Sequence, residues 1–174
     1  MSDSEKKSTF TELIRTNHDT IRRIAGYYVD DIHEQKDLYQ EIVCQLWQSY
    51  GDFKGDAAFS TWLYRVAVNT AISHLRKKKS KPTWKFWQGG NSEPAAETET
   101  DPLVEAEEKQ MLRHHIKQLD QMDQTLILLY LEEVEYQTIA EITGLSNSNV
   151  GVRLHRIREQ LKSTIHKHME RHGS

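Results

Sequence analysis

Residues 136–161 read YQTIAEITGLSNSNVGVRLHRIREQL, and their spacing predicts two helices joined by a tight turn. Thr138, Ile139, Ala140 and Ile142 belong to a short first helix. Ala140 is small where two helices cross closely, and Gly144 supplies the positive φ that the turn demands. Leu145, Val150, Leu154, Ile157, Leu161 and Ile165 continue one apolar face at helical spacing. Ser146 stands where a side chain caps the second helix. This leaves Asn147, Ser148, Asn149 and Arg153 facing outward, at the end of a helix from which side chains reach base edges in a major groove. Arg153, Arg156 and Arg158 add cations suited to phosphates. A helical hairpin that merely packs carries the same signature, so this stretch alone predicts a helix-turn-helix and leaves its ligand open. Gly151 weakens the second helix by about 1 kcal/mol relative to alanine.

Outward from this stretch the chain stays helical. Phe10, Leu13, Ile14, Ile21, Ile24, Ala25 and Tyr28 lie at helical spacing and predict one helix over 10–28. Asp30 and Asp31 break it and cap the next, which runs to about Tyr50 with Leu38, Ile42, Val43, Leu46 and Trp47 as its apolar stripe. Cys44 falls near that stripe and is expected in the core. Gly51, Gly55 and Asp56 mark a loop over 51–58. Ser60 is the expected cap of a third helix that turns Leu63, Val66, Ala67, Thr70, Ala71 and Leu75 inward. That helix ends in the basic run 76–79, where cations suit a helix C-terminus. Pro82, Gly89, Gly90 and Pro94 mark 80–101 as a linker, within which Trp84, Phe86 and Trp87 are expected to pack onto a neighbouring domain. Asp101 and Pro102 open a further helix to about Leu119. No stretch alternates as a strand does. The predicted fold is therefore all-α, with two small helical domains (1–79 and 102–174) joined by a flexible acidic linker (80–101).

Composition bounds the function. With 37% hydrophobic residues among 174 and a mean hydropathy of −0.74, the chain supports modest cores only. No apolar run approaches the roughly 20 residues that span a bilayer, and 1–9 lacks the apolar segment of a signal peptide. The single cysteine excludes an internal disulfide and fits a reducing compartment, so the expected location is cytoplasmic, without membrane insertion. The net charge of −3 is concentrated in Glu93, Glu97, Glu99, Asp101, Glu105, Glu107 and Glu108. Outside that segment, basic clusters at 76–79 and 153–158 are placed to neutralise phosphates locally. Of His166, His168 and His172, only His168 and His172 lie one turn apart; two histidines without a third ligand of known geometry are a weak metal pattern, and a polar terminus is the expected reading. His114 and His115 are adjacent and expected at the surface. No phosphate loop, nucleophile triad or catalytic carboxylate pair occurs, so neither an enzyme nor a cofactor is expected.

A second functional pattern lies in residues 52–65, DFKGDAAFSTWLYR. Phe53, Phe59, Trp62 and Tyr64 crowd a glycine-containing loop beside a basic helix, and aromatic platforms beside cations hold unstacked bases. Arg65, Asn69, Ser73 and Arg76 share the polar face of the following helix. Ordinary core packing competes with this reading: Leu63 and one or two of the rings are expected inside.

The runs KDLYQEIVCQLW (36–47), FKGDAAFSTWLYRVAVN (53–69) and HLR (74–76) closely resemble region 2 of extracytoplasmic-function (ECF) sigma factors, the compact members of the sigma-70 family. Ile139 to Ile142, Gly144 to Ser146 and Val150 to Arg158 resemble their region 4. The resemblance spans nearly the whole chain, in the family's order. It implies that Asp37, Gln40, Glu41 and Leu46 dock on core RNA polymerase, whose β and β′ subunits are the expected partners. It also implies that Phe53, Lys54, Gly55, Asp56 and Phe59 capture a flipped base of the −10 element of promoter DNA. Trp62, Arg65, Asn69 and Arg76 would support melting, and Asn147, Ser148, Asn149, Arg153 and Arg156 would bind the −35 element. The family further implies control by an anti-sigma factor. Gly151 stands where the family usually carries Lys or Arg, Ser73 replaces a frequent polar base-reader, and Leu119 to Met122 lacks the usual Leu-Pro. A promoter sequence therefore does not transfer from relatives.

Two other readings compete. A sigma-like decoy would bind an anti-sigma factor without promoter DNA, yet this chain keeps its basic faces. A plain helix-turn-helix repressor would leave the N-terminal aromatic loop unexplained.

Overall fold

The computed structural model describes residues 3–80 and 102–172, and the described residues are helical with no strand. In chain order the helices are α1 (Asp3–Thr16), α2 (His18–Tyr28), α3 (Ile32–Ser49), α4 (Phe59–Ser80), α5 (Pro102–Ile116), α6 (Gln121–Leu131), α7 (Tyr136–Thr143) and α8 (Asn147–His172). A single 3-10 turn, Tyr50–Asp52, follows α3. The chain divides into two compact units, Met1–Ser92 and Glu93–Ser174. Trp84, Phe86 and Trp87, and most of the expected linker, lie outside the described residues.

In the first unit α3 and α4 pack against each other and both pack on α2. Ile21, Leu38, Ile42, Leu46 and Leu63 are fully buried where the three meet, with Ala67 and Ala71 small enough to let α4 approach. Asp31 caps α3, its carboxylate accepting from the Glu34 amide at 2.9 Å. Three expectations need correction. The expected helix over 10–28 is two helices that part at Asn17, whose amide is shared between the Leu13 and Ile14 carbonyls at 3.2 Å and whose side chain also donates to the Leu13 carbonyl at 2.8 Å. Ser60 lies inside the first turn of α4 and is exposed, so it is not the cap. Cys44 is exposed rather than core, since Leu38, Ile42 and Leu46 define the buried stripe and residue 44 sits half a turn away from it.

In the second unit α8 is the central element, packed by α5, α6 and α7. Val150, Leu154, Ile157 and Leu161 form its buried stripe against Leu126, Leu129 and Ile139. Asp120 caps α6, accepting from the Asp123 amide at 2.8 Å. The helix opened by Pro102 ends at Ile116, three residues early, where Gln118 and Leu119 donate to the carbonyls of His115 and Ile116 and tighten the last turn. His115 is buried rather than superficial, with neither ring nitrogen hydrogen-bonded among the described residues and its ring edge-on to His168 at 5.7 Å.

Two helices of this unit end on a left-handed residue. Gly144 follows α7 with φ 76° and donates to the Ala140 carbonyl at 2.8 Å. After α6 the same role falls to Glu133, at φ 58°, with its amide on the Tyr130 carbonyl and the Val134 amide on the Leu129 carbonyl. Glycine is the residue that adopts this conformation without cost, whereas a side chain there costs about 1 kcal/mol. Glu133→Gly is therefore expected to stabilise the second unit by about 1 kcal/mol, read as slower hydrogen exchange of the buried α6 and α8 amides.

Candidate nucleic-acid interface

The loop between α3 and α4 begins with the 3-10 turn and is held by the Phe53 amide on the Tyr50 carbonyl at 3.3 Å. Gly55 turns the chain at φ 78° with open space around it. The turn folds Phe53 back against α4, where its ring centroid lies 5.0 Å from Trp62 and 5.8 Å from Phe59. Phe59 and Trp62 are themselves 5.4 Å apart, and Tyr50 joins the cluster at 6.4 Å from Trp62. All four rings are half-buried: they cover one another in part and keep accessible edges and faces. Leu63 alone of this segment's large side chains is fully buried, which anchors the platform to the core. Lys54 and Asp56 are exposed at the loop's tip. Along α4, Arg65, Asn69, Ser73 and Arg76 are all exposed on one face, while Thr61, Thr70 and Ala71 face inward.

The opposite seam, between α3 and α4, is a charge cluster. His74 brings Nδ1 to 2.9 Å from Glu41 and Nε2 to 3.3 Å from Glu34. A neutral ring donates to only one of these carboxylates and an imidazolium to both. Lys77 reaches Glu41 at 3.0 Å and Lys78 reaches Glu34 at 2.7 Å. The His74 hydrogen bond holds the Glu41 carboxyl below its ordinary range; burial opposes the shift and Lys77 assists it. Of the residues expected to face polymerase, Asp37 and Gln40 are exposed, and Glu41 is half-buried and engaged by α4. Leu46 is different: it is fully buried in the three-helix core, so it supports that face from behind and cannot touch a partner.

In the second unit the turn geometry follows the residue types. Gly144 takes the left-handed conformation, and Ser146 caps α8, its hydroxyl accepting from the Asn149 amide at 3.3 Å. Asn147, Ser148 and Asn149 occupy the exposed first turn. Arg153 does not join them. It leans to the flank of α8 and places its guanidinium 2.6 Å from Asp123 and 3.5 Å from Asp120. Asp123 is buried, so its charge needs this partner, and Arg153 is engaged on the flank of α8 rather than on its outward face. Arg156 reaches the same carboxylate at 3.4 Å yet stays largely exposed. The outward face of α8 instead presents Val152 and His155, which the sequence reading missed. Counting the helix at about 100° per residue from its apolar stripe would have found both.

Residues 13–81 match the model of sigma-70 region 2, and residues 109–161 match that of sigma-70 region 4. The chain belongs to the sigma-70 family. Its relatives place it in the ECF group. It is similar to the RNA polymerase sigma-H factor of Pseudomonas aeruginosa, with 27% identity over 168 residues covering 91% of this chain and 87% of the relative. The ECF RNA polymerase sigma factor SigW of Bacillus subtilis is 27% identical over 168 residues, covering 91% and 90%. Among solved structures, the sigma factor RpoE of Bartonella quintana, determined with the anti-sigma factor NepR, shares the fold with a TM-score of 0.69 at 19% identity, over 90% of this chain and 96% of that one. Sigma factors are non-enzymatic transcription initiation factors. Among the described residues no three His, Cys, Asp or Glu side chains are grouped to hold a metal ion, and His166 lies 3.3 Å from Glu170. No described helix is long and apolar enough to cross a membrane.

Two measurements test the polar framework of this sigma factor. Asp123→Ala leaves Arg153 without its buried partner and is expected to cost about 3 kcal/mol of second-unit stability, read by hydrogen exchange of α8, whereas Arg156→Ala should change it little. Because Glu41 is depressed in the folded state, its contribution is present above the ordinary carboxylate range and disappears as pH falls through that range and below it. The stability gap between wild type and Glu41→Gln is thus expected to close in acid, read by urea unfolding across pH.

Proposed function

We infer that this ECF sigma factor binds core RNA polymerase through its β and β′ subunits, directs it to promoter DNA and assists melting there. Polymerase performs the chemistry; this chain selects where it starts. The observation that carries the reading is the half-buried aromatic platform of Tyr50, Phe53, Phe59 and Trp62, continuous with the exposed Arg65, Asn69 and Arg76 of α4. Extruding a base from a duplex costs a few kcal/mol, and stacking it on an aromatic ring returns about 1–3 kcal/mol. A platform that is already assembled supplies that return without an ordering cost. In this reading residues 1–79 engage polymerase, with Asp37, Gln40 and Glu41 on the docking face, and the −10 element, with Phe53, Lys54, Gly55, Asp56, Phe59 and Trp62 around the captured base. Residues 102–174 engage the −35 element through Asn147, Ser148, Asn149 and Arg156. The cytoplasm, where the transcription machinery acts, is its place of work.

Control by an anti-sigma factor is part of the same reading, supported by the likeness to a sigma factor determined with one. A decoy that only binds such a partner has no use for exposed cations along α4 beside stacked rings, which favours the promoter-binding form.

Run-off transcription with purified core polymerase and a genomic DNA library tests the reading: promoter-dependent transcripts are expected, and their absence across the library contradicts it. Trp62→Ala and Asn69→Ala are each expected to reduce open-complex formation by about tenfold, the loss of one stacked or hydrogen-bonded base, while core binding changes by less than about twofold. Equal losses in both assays would reassign these residues to folding or docking.

A further inference from the structure

The buried stripe of α8 fixes which side chains point straight away from the unit. Val150, Leu154, Ile157 and Leu161 are all at or near zero exposure. At about 100° per residue, the direction opposite their mean falls on residue 152. Val152 is 70% exposed, the largest value among the exposed large hydrophobic residues of the described chain. Its neighbours on that face, Ser148, Asn149, His155 and Arg156, are exposed and polar or cationic. On the flanks, Arg153 is drawn aside onto Asp123, and a Cβ built at Gly151 would start 3.6 Å from the Tyr136 ring on α7. Val152 therefore stands uncovered at the centre of a polar surface.

An isolated exposed valine is common and by itself means nothing. Its position is what matters: it lies one turn after the capped N-terminus of the second helix of a helix-turn-helix, the part that enters a major groove. A valine there cannot hydrogen-bond a base edge. The thymine C5-methyl group is the one apolar feature that the four standard bases present in that groove.

We propose that Val152 is a specificity-determining residue that reads a thymine methyl group in the upstream promoter element, flanked by hydrogen-bonding contacts from Asn149 and Arg156. The proposal rests on the promoter-binding reading above and sharpens it to one base. It also accounts for how α8 discriminates with Arg153 engaged elsewhere. Shape and van der Waals contact at Val152 select A·T over G·C and set its orientation, because only one strand's thymine carries its methyl group toward the valine.

The test uses holoenzyme assembled from core polymerase and the full chain, on a promoter that it transcribes. Each thymine of the upstream element, on both strands, is replaced singly by deoxyuridine, which removes the methyl group and leaves every hydrogen-bonding group in place. With wild type, one position is expected to lose about three- to fivefold in affinity, the effect of one methyl group removed from water. With Val152→Ser, which exchanges an exposed side chain and leaves the buried stripe intact, wild-type promoter binding should weaken by a similar factor. The uridine effect at that position should vanish. Uridine effects absent at every position, or retained unchanged in Val152→Ser, overturn the assignment. Holoenzyme that transcribes no promoter overturns the parent reading instead, so the two failures are distinguishable.

Discussion

The buried carboxylate of Asp123, in the first turn of α6, governs the second unit. A charge removed from water must be matched, and Arg153 of α8 matches it at 2.6 Å while Asp120, the cap of α6, approaches the same guanidinium at 3.5 Å. One ion pair thus joins the first turn of α6 to the second turn of α8. It fixes the rotation of α8 about its own axis together with the apolar stripe of Val150, Leu154, Ile157 and Leu161. Once that rotation is set, the surface offered to DNA follows. Asn149, Val152 and Arg156 face out, and Arg153 is turned to the flank against Asp123.

The first unit uses the same device in a looser form. His74, near the end of α4, sits between two carboxylates of α3, and Lys77 and Lys78 extend the contact. Part of the basic run at the end of α4 is therefore turned toward α3 rather than outward. The face expected to meet polymerase and the helix expected to meet DNA are held together by this seam. On the other side of α4, the aromatic platform is anchored by Leu63 and folded back by Gly55. Burial of one helix face again leaves the opposite face available, and here the available face is stacked rings followed by cations.

Much of this was legible in the residues. Helical spacing located α3, α4 and the two helices of the helix-turn-helix, Asp31 and Ser146 capped the helices they were expected to cap, and Gly144 took the left-handed turn. The aromatic loop and the polar face of Arg65, Asn69, Ser73 and Arg76 were readable because both arise from local order. Other features were not legible in the residues. Cys44 and Leu46 are two residues apart on α3, so expecting both near one stripe blurred a distinction that helix rotation makes sharp: one is exposed and the other fully buried. The helices α1 and α2 part at Asn17, whose local hydrogen bonding apolar spacing does not register. His115 entered the core although its neighbour His114 did not.

The sequence by itself determined the helical class, the caps at Asp31 and Ser146, the turn of the helix-turn-helix, the aromatic loop and the family to which the chain belongs. These depend on interactions within a few residues, where the order of side chains is the geometry. Tertiary structure decided which charged groups are internal and which side chains are offered outward. Arg153 meets a carboxylate 30 residues away and His74 meets one 33 residues away, partners chosen by how the helices pack. Desolvation makes that choice binding: a buried charge must be paired, and the pairing turns the helix that carries it.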